Sequence, residues 1–353
     1  MRTSHINRQR GFSLIEVLIG MLIAMIGVVI MMEVLLTSED RTRTGTGGNE
    51  ALSNGAVMMH MMQRDLVQAG YGINAMTLLG CNLTLPNTKV ITLAPVVINP
   101  PVALIPVGDA NTDTMVVFYG NDNGQPEGNI VYSVDGSEYT VQAPSAFEVG
   151  DKVVASTGAC GTGLTLAEVT AVGPMTVTVN AAVAGATVLH NMGKTPRIVA
   201  YAVRNGALTS CDLMAAGLDC SVDNAVNWPA IGGNIVSLRA QYGHDTVNPM
   251  DGAIDSWSRT SPTTACGWAR SPGVRFVLVA RSTQYETEIS ATGQRVAAVV
   301  TGDPPAWAGT DDGLEVAPVD LSAEPAWQSY RYRTFENLAP TRNVVWMGAQ
   351  SGC

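Results

Sequence analysis

Hydropathy along the chain changes character three times before the first β-type segment. Residues 1–10 are polar and basic, with Arg2, Arg8 and Arg10 and no acid. An apolar run then reaches Leu36, and the sixteen residues from Val17 to Met32 carry no charge. A bilayer core about 30 Å thick needs about 20 helical residues, so Phe12 to Leu36 is long enough to cross one. After a polar stretch from Thr37 to Asn49, apolar residues return at Leu52, Ala56, Met59, Met62, Leu66 and Ala69. Those steps of three and four predict one stripe on a helix, with Arg64 and Asp65 off it, packing against the chain's own sheet. Gly45-Thr46-Gly47-Gly48 interrupts the pattern. Each glycine weakens a helix by about 1 kcal/mol, so a kink or an unwound stretch is expected there. Gly70-Tyr71-Gly72 supplies the stop.

From Lys89 the period shortens. Runs of β-type residues alternate with Gly, Asn, Asp and Pro turns: Lys89–Ile98, Thr114–Tyr119, Asn129–Val134, Lys152–Ser156, Thr165–Val172, Met175–Asn180, Arg197–Val203, Asn234–Tyr242, Val274–Ser282 and Trp327–Phe335. This spacing predicts antiparallel sheets. The stretch Thr301–Ala326, rich in Asp, Pro, Gly and Ala, reads as a long surface loop. The fold class is therefore α+β: a long N-terminal helix on a β-rich, mainly antiparallel C-terminal head.

Composition narrows the function classes. The 353 residues carry a net charge of −10, and no basic run occurs beyond the first ten residues, so nothing resembles a nucleic-acid surface. Six cysteines (Cys81, Cys160, Cys211, Cys220, Cys266 and Cys353) contain no Cys-x-x-Cys pair, which disfavours zinc. An even count in an exported chain favours disulfides. Cys211 and Cys220, flanking a short loop, are the first pair expected; the other pairings are open.

The N-terminus also carries chemistry. A carboxylate, Glu16, stands inside the spanning segment, where a charge costs up to about 2.5–3.5 kcal/mol on insertion scales. A plain anchor gains nothing from it, so Glu16 calls for a partner. No small-x-small cleavage site follows the apolar run, which disfavours a secretory signal peptide. Basic residues ahead of the span place the N-terminus in the cytoplasm and the head in the periplasm. Gly11-Phe12-Ser13-Leu14-Ile15-Glu16 after a short basic leader resembles the signal of type IV pilins and of type II secretion pseudopilins. The resemblance implies cleavage by a prepilin peptidase after Gly11 and N-methylation of the new first residue, Phe12. It also implies that Glu16 pairs with the terminal ammonium of a neighbouring subunit, sparing an apolar filament core two isolated charges.

Further segments are similar to the PilW-type minor pilins: Gln63–Tyr71, Ile235–Gly243 followed by Asp245, Asp251–Trp257, Val274–Ser282, Tyr330–Phe335 and Arg342-Asn343. The organisation implied is a leader (1–11), a transmembrane and assembly helix (12–36), its periplasmic continuation (37–72) and a head (73–353). Residues 81–230 match nothing in that family pattern and read as an insert. The resemblance implies a minor pilin of a type IV pilus that helps prime assembly and sits at or near the tip. Its partners would be other minor pilins, the major pilin, prepilin peptidase, the inner-membrane assembly platform and a tip adhesin. It implies an inner-membrane protein with a periplasmic head, later at the pilus tip on the cell surface, and no cofactor. A minor pseudopilin of a type II secretion system uses the same signal. A different class, a membrane-tethered periplasmic enzyme or binding protein, would need a catalytic constellation, and the sequence offers no nucleophile elbow, phosphate loop or His-Glu-x-x-His.

Asp245, Asn248 and Asp251 ahead of Gly252 form a candidate calcium loop, although Asx turns explain the same residues. His5, His60, His190 and His244 are scattered. The tryptophans, Trp228, Trp257, Trp268, Trp307, Trp327 and Trp346, read as core first and subunit contact second. If the N-terminal reading holds, mass spectrometry of the mature protein will find an N-terminal peptide beginning at N-methylated Phe12. A chain beginning at Met1, or cut beyond Ser38, would refute it.

Overall fold

The computed structural model describes residues 13–353 apart from 122–124, 126, 162, 293, 310–316 and 351. A single helix, α1 (Leu14–Gln68), is 55 residues long. It runs unbroken through Gly45-Thr46-Gly47-Gly48, so the expected interruption is not there. Helix propagation needs only one bond per added residue, and three glycines do not outweigh long helical flanks.

The head is built from β1 (Asn82–Thr84), β2 (Val90–Thr92), β3 (Val96–Ile98), β4 (Met115–Tyr119), β5 (Asn129–Asp135), β6 (Glu138–Val141), β7 (Lys152–Ser156), β8 (Leu164–Val172), β9 (Thr176–Val179), β10 (Val188–Gly193), β11 (Arg197–Arg204), β12 (Ala207–Asp212), β13 (Ala230–Gly233), β14 (Ile235–His244), β15 (Ser256–Ser258) and β16 (Gly273–Arg281). Two small hairpins follow, β17 (Thr287–Ile289) with β18 (Arg295–Ala297) and β19 (Ala306–Trp307) with β20 (Ala317–Pro318), and then β21 (Tyr332–Pro340).

Two sheets carry the helix. One has the order β15-β14-β16-β21 and the other β13-β12-β11-β4-β3, and their pairings are antiparallel. The buried side of α1 is Ala51, Met58, Met59, Met62, Leu66 and Ala69, packed with Phe118, Ile198, Tyr201, Phe276 and Leu278. Relative to the predicted stripe, the contact face is rotated at its first turns: Leu52 is exposed, and Ala51 and Gly55 face the sheet instead. The cause is size. A Cβ on Gly55 would lie 2.0 Å from the Phe335 ring, so only glycine lets β21 approach this closely.

The segment 81–230 divides between two bodies. Its β3, β4, β11 and β12 belong to the helix-bearing core, as does β13, which starts at its last residue. Its β5–β10 close into a ring: β8 pairs with β7, β7 with β10, β10 with β5, β5 with β6, β6 with β9, and β9 returns to β8. Closure removes the open edges, and this small barrel has its own interior of Tyr139, Val141, Val153, Val169, Val177 and Leu189. Parallel pairing of β1 with the start of β8 and a Cys81–Cys160 disulfide fasten it to the core. The other bridges are Cys211–Cys220, with Cα atoms 5.7 Å apart, and Cys266–Cys353.

The stretch 301–326 is not only a surface loop. Trp307, Val319 and Leu321 are buried over Val277 and Val279, covering part of the sheet face opposite α1. The last predicted strand is displaced as well: Trp327–Ser329 forms a 3₁₀ turn and the strand begins at Tyr332.

Gly55→Ala should destabilise the full chain by about 1–3 kcal/mol, the usual cost of overpacking. Adding Phe335→Leu should recover much of that loss in chemical denaturation; independent, additive effects would disprove the contact.

Candidate functional site

The exposed half of α1 is the first part of the candidate site. Leu14–Leu36 forms a helix with mean hydropathy 2.8 and none of it buried, by length and composition able to cross a membrane. Ser13 is the N-cap in extended conformation. Its backbone N–H donates to Glu16 Oε2 at 3.3 Å, so the carboxylate folds back on the first turn in the manner of a capping box. Glu16 is exposed, and it sits where the helix dipole favours an anion. The cleavage and methylation positions Gly11 and Phe12 lie outside the described residues, as does His5.

The second part is the mount that joins this helix to the head. Asp65, expected on the outside, is buried. Tyr201 on β11 donates its hydroxyl to Asp65 Oδ2 at 2.6 Å, and Arg64 approaches Oδ1 at 3.3 Å. Burial first, and then the Asp65 charge, push the Tyr119 hydroxyl up to about 12, and the same two causes raise Tyr201. Asn343, one residue beyond Arg342, donates its side-chain amide to the carbonyls of Gln68 and Ala69, each at 3.0 Å. Those are among the orphan acceptors a helix leaves at its C-terminus. Gly70 N–H donates to Phe118 O at 2.8 Å, and Gly120 N–H to Tyr71 O at 2.9 Å, continuing the fastening into β4.

An ion cluster around the buried Asp113 locks the two helix-bearing sheets. Asp113 sits 2.5 Å from Arg259 and 3.4 Å from Arg239, and accepts from the Ala240 N–H at 3.0 Å. Sequence reading passed over it because Asp113, Arg239 and Arg259 are far apart in the chain.

At the candidate calcium loop, Asp245 Oδ2 accepts from the N–H groups of Asp251 and Gly252 at 2.8 and 2.7 Å, and Oδ1 from Val247 N–H at 3.2 Å. Asp251 Oδ1 accepts from Ala253 N–H, and a cis peptide joins Asn248 to Pro249. Both Asp245 oxygens are thus engaged within the turn. Among the described residues, no group of three or more His, Cys, Asp or Glu side chains is placed to hold a metal ion. His60 is exposed on α1, His190 is buried on β10, and burial lowers the pKa of His244. Of the tryptophans, Trp228, Trp268 and Trp307 are buried, while Trp346 is 70% exposed.

Two family models match the sequence. The prokaryotic N-terminal methylation motif covers residues 6–32, and type IV pilus-assembly protein W covers residues 200–343. No curated protein matches. Among solved structures, a type IV-like pilin from Thermus thermophilus aligns at 12% identity over 83% of this chain and 98% of its own, with a TM-score of 0.37. The prepilin motif on an exposed apolar helix, carried by an antiparallel β-rich head, defines a type IV pilin-like protein whose N-terminus suits membrane anchoring. Within that class, residues 200–343 carry the match to the PilW family of minor pilins. The matched residues 200–343 include Tyr201, Phe335 and Asn343, so the helix mount lies inside the family region. The barrel lies wholly outside it. The match also begins within the segment read as an insert, so residues 200–230 belong to the family part.

The raised tyrosines set a direction for pH. In the range where an unfolded tyrosine, pKa about 10, releases its proton, the folded chain retains it. Stability is therefore full below about pH 10 and should fall as pH rises toward 12. Tyr201→Phe should cost about 1.5–3 kcal/mol at neutral pH and flatten that alkaline decline. Denaturation in detergent between pH 7 and 12 tests both; an unchanged slope would remove Tyr201 from the explanation.

Proposed function

We propose that this chain is a minor pilin that helps prime assembly of a type IV pilus and resides at or near its tip. The observation that carries the reading is the combination of a processing signal with a bare apolar helix rigidly seated in a large head. Such a helix leaves its apolar surface for other helices, and the seat transmits their packing to the head. Cleavage after Gly11 would place a new ammonium at Phe12, four residues from Glu16. Among the described residues, that carboxylate accepts its hydrogen bond from its own first turn. Against apolar helices of neighbouring subunits it pairs with a neighbour's ammonium, which answers why a charge is kept in a spanning segment. Other minor pilins, the major pilin, the assembly platform and a tip adhesin are the partners this role requires, with prepilin peptidase acting first. The barrel, lacking a family counterpart, is an accessory carried on the head.

Glu16→Ala should be processed and inserted normally yet fail to co-purify with other minor pilins. Removing one member of a buried pair costs about 3–5 kcal/mol, enough to exclude a subunit from a small priming complex. Deletion of the gene should lower surface pili while major pilin persists in the membrane. Normal piliation of the deletion strain would end the priming role, and normal co-purification of Glu16→Ala would end the pairing mechanism.

A further inference from the structure

On the sheet face opposite α1 a groove of about 420 Å³ opens between β21, the Ile254 loop and the short helix at Arg342–Val345. Its apolar walls include Ile254, Leu338, Val345 and Trp346, and the last three are 48%, 40% and 70% exposed. Arg342 stands in the same wall. Its guanidinium has no ion-pair or hydrogen-bond partner among the described residues, unlike Arg204, Arg239, Arg259, Arg270 and Arg281. An exposed tryptophan next to an unpaired guanidinium on an apolar floor is the composition of a binding anchor rather than of ordinary solvated surface.

The geometry points to a docking site for another protein, through a segment that presents a large apolar side chain beside a carboxylate. The apolar side chain fills the groove against Trp346 and Leu338, and the carboxylate pairs with Arg342. Charge complementarity selects the acid, because an apolar segment alone would leave the guanidinium partly desolvated and unpaired. Pro340, at the end of the edge strand β21, removes a backbone donor there, so recognition rests on side chains rather than on strand addition.

Two other occupants fit poorly. Asn343, beside Arg342, caps the far end of α1, and thirty-two residues of helix separate Gln68 from Leu36. At 1.5 Å per residue the groove stands about 48 Å along the helix from the apolar span, out of reach of a bilayer holding that span. A two-fold contact between copies would repeat the same patch on both sides and set the Arg342 guanidiniums near one another. The inference does not depend on the priming role.

The test is photo-crosslinking in cells with the full chain carrying Trp346→benzoylphenylalanine, which keeps a large aromatic in place. Adducts should map to one peptide of a second protein in which a large apolar residue neighbours Asp or Glu. Arg342→Glu should cut their yield about tenfold, the scale of losing a charge-assisted hydrogen bond. Changing the partner's acid to Lys in that background should restore it. Protein level and full cysteine oxidation serve as the folding control, since both side chains are exposed. Adducts to lipid, to a second copy of this chain, or to a peptide without an acid would overturn the proposal, as would no adduct or a yield indifferent to Arg342→Glu.

Discussion

The buried carboxylate of Asp65 fixes where the long helix meets its sheet. A charge this deep is tolerable only when its oxygens are engaged, and Tyr201 supplies a 2.6 Å hydrogen bond from the central strand β11. That contact sets the rotation of the last turns of α1. The same rotation brings Gly55 under Phe335 and the carbonyls of Gln68 and Ala69 to Asn343. Three contacts from β11, β21 and the segment after β21 thus hold the helix from Ala51 to Gln68, while the apolar half stays bare. The division of labour follows: one end of the helix belongs to the head, and the other stays bare, with a length and hydropathy that suit a membrane.

The second constraint is how a large head stays rigid beyond the helix. The barrel has a separate interior and would be free to swing on two connections. Pairing of β1 with β8 and the Cys81–Cys160 bridge, spanning 79 residues, remove that freedom. By loop length such a bridge contributes about 4.5 kcal/mol against the unfolded chain. Asp113 between Arg239 and Arg259 does the equivalent for the two helix-bearing sheets, by electrostatics where the barrel uses a covalent bond.

Surface chemistry divides accordingly. On the side of the sheet away from α1, the 301–326 segment buries Trp307, Val319 and Leu321 over one half. The other half is left as the groove beside Trp346 and Arg342. A monomer gains nothing by exposing that tryptophan, so the uncovered half is where the head meets something else.

Hydropathy alone determined the apolar span, the α+β class and the two long strands, read as 234–242 and 274–282 and found at 235–244 and 273–281. The six-residue signal around Gly11 and Glu16 was legible by its resemblance to a known motif. These are strong periodic or positional signals that depend on neighbours in sequence. Tertiary structure decided what depends on size and on distant partners. Gly55 replaced Leu52 on the contact face because closeness to Phe335 outweighed hydrophobicity. Asp65 went inside because Tyr201, 136 residues away, could satisfy it. Strands such as β10 (Val188–Gly193) and β12 (Ala207–Asp212) escaped sequence reading, since their buried His190, Asn191 and Thr209 break the apolar alternation and are placed by cross-strand contacts. The glycines at 45–48 went the other way: local propensity predicted a break, and the cooperativity of a 55-residue helix overrode it.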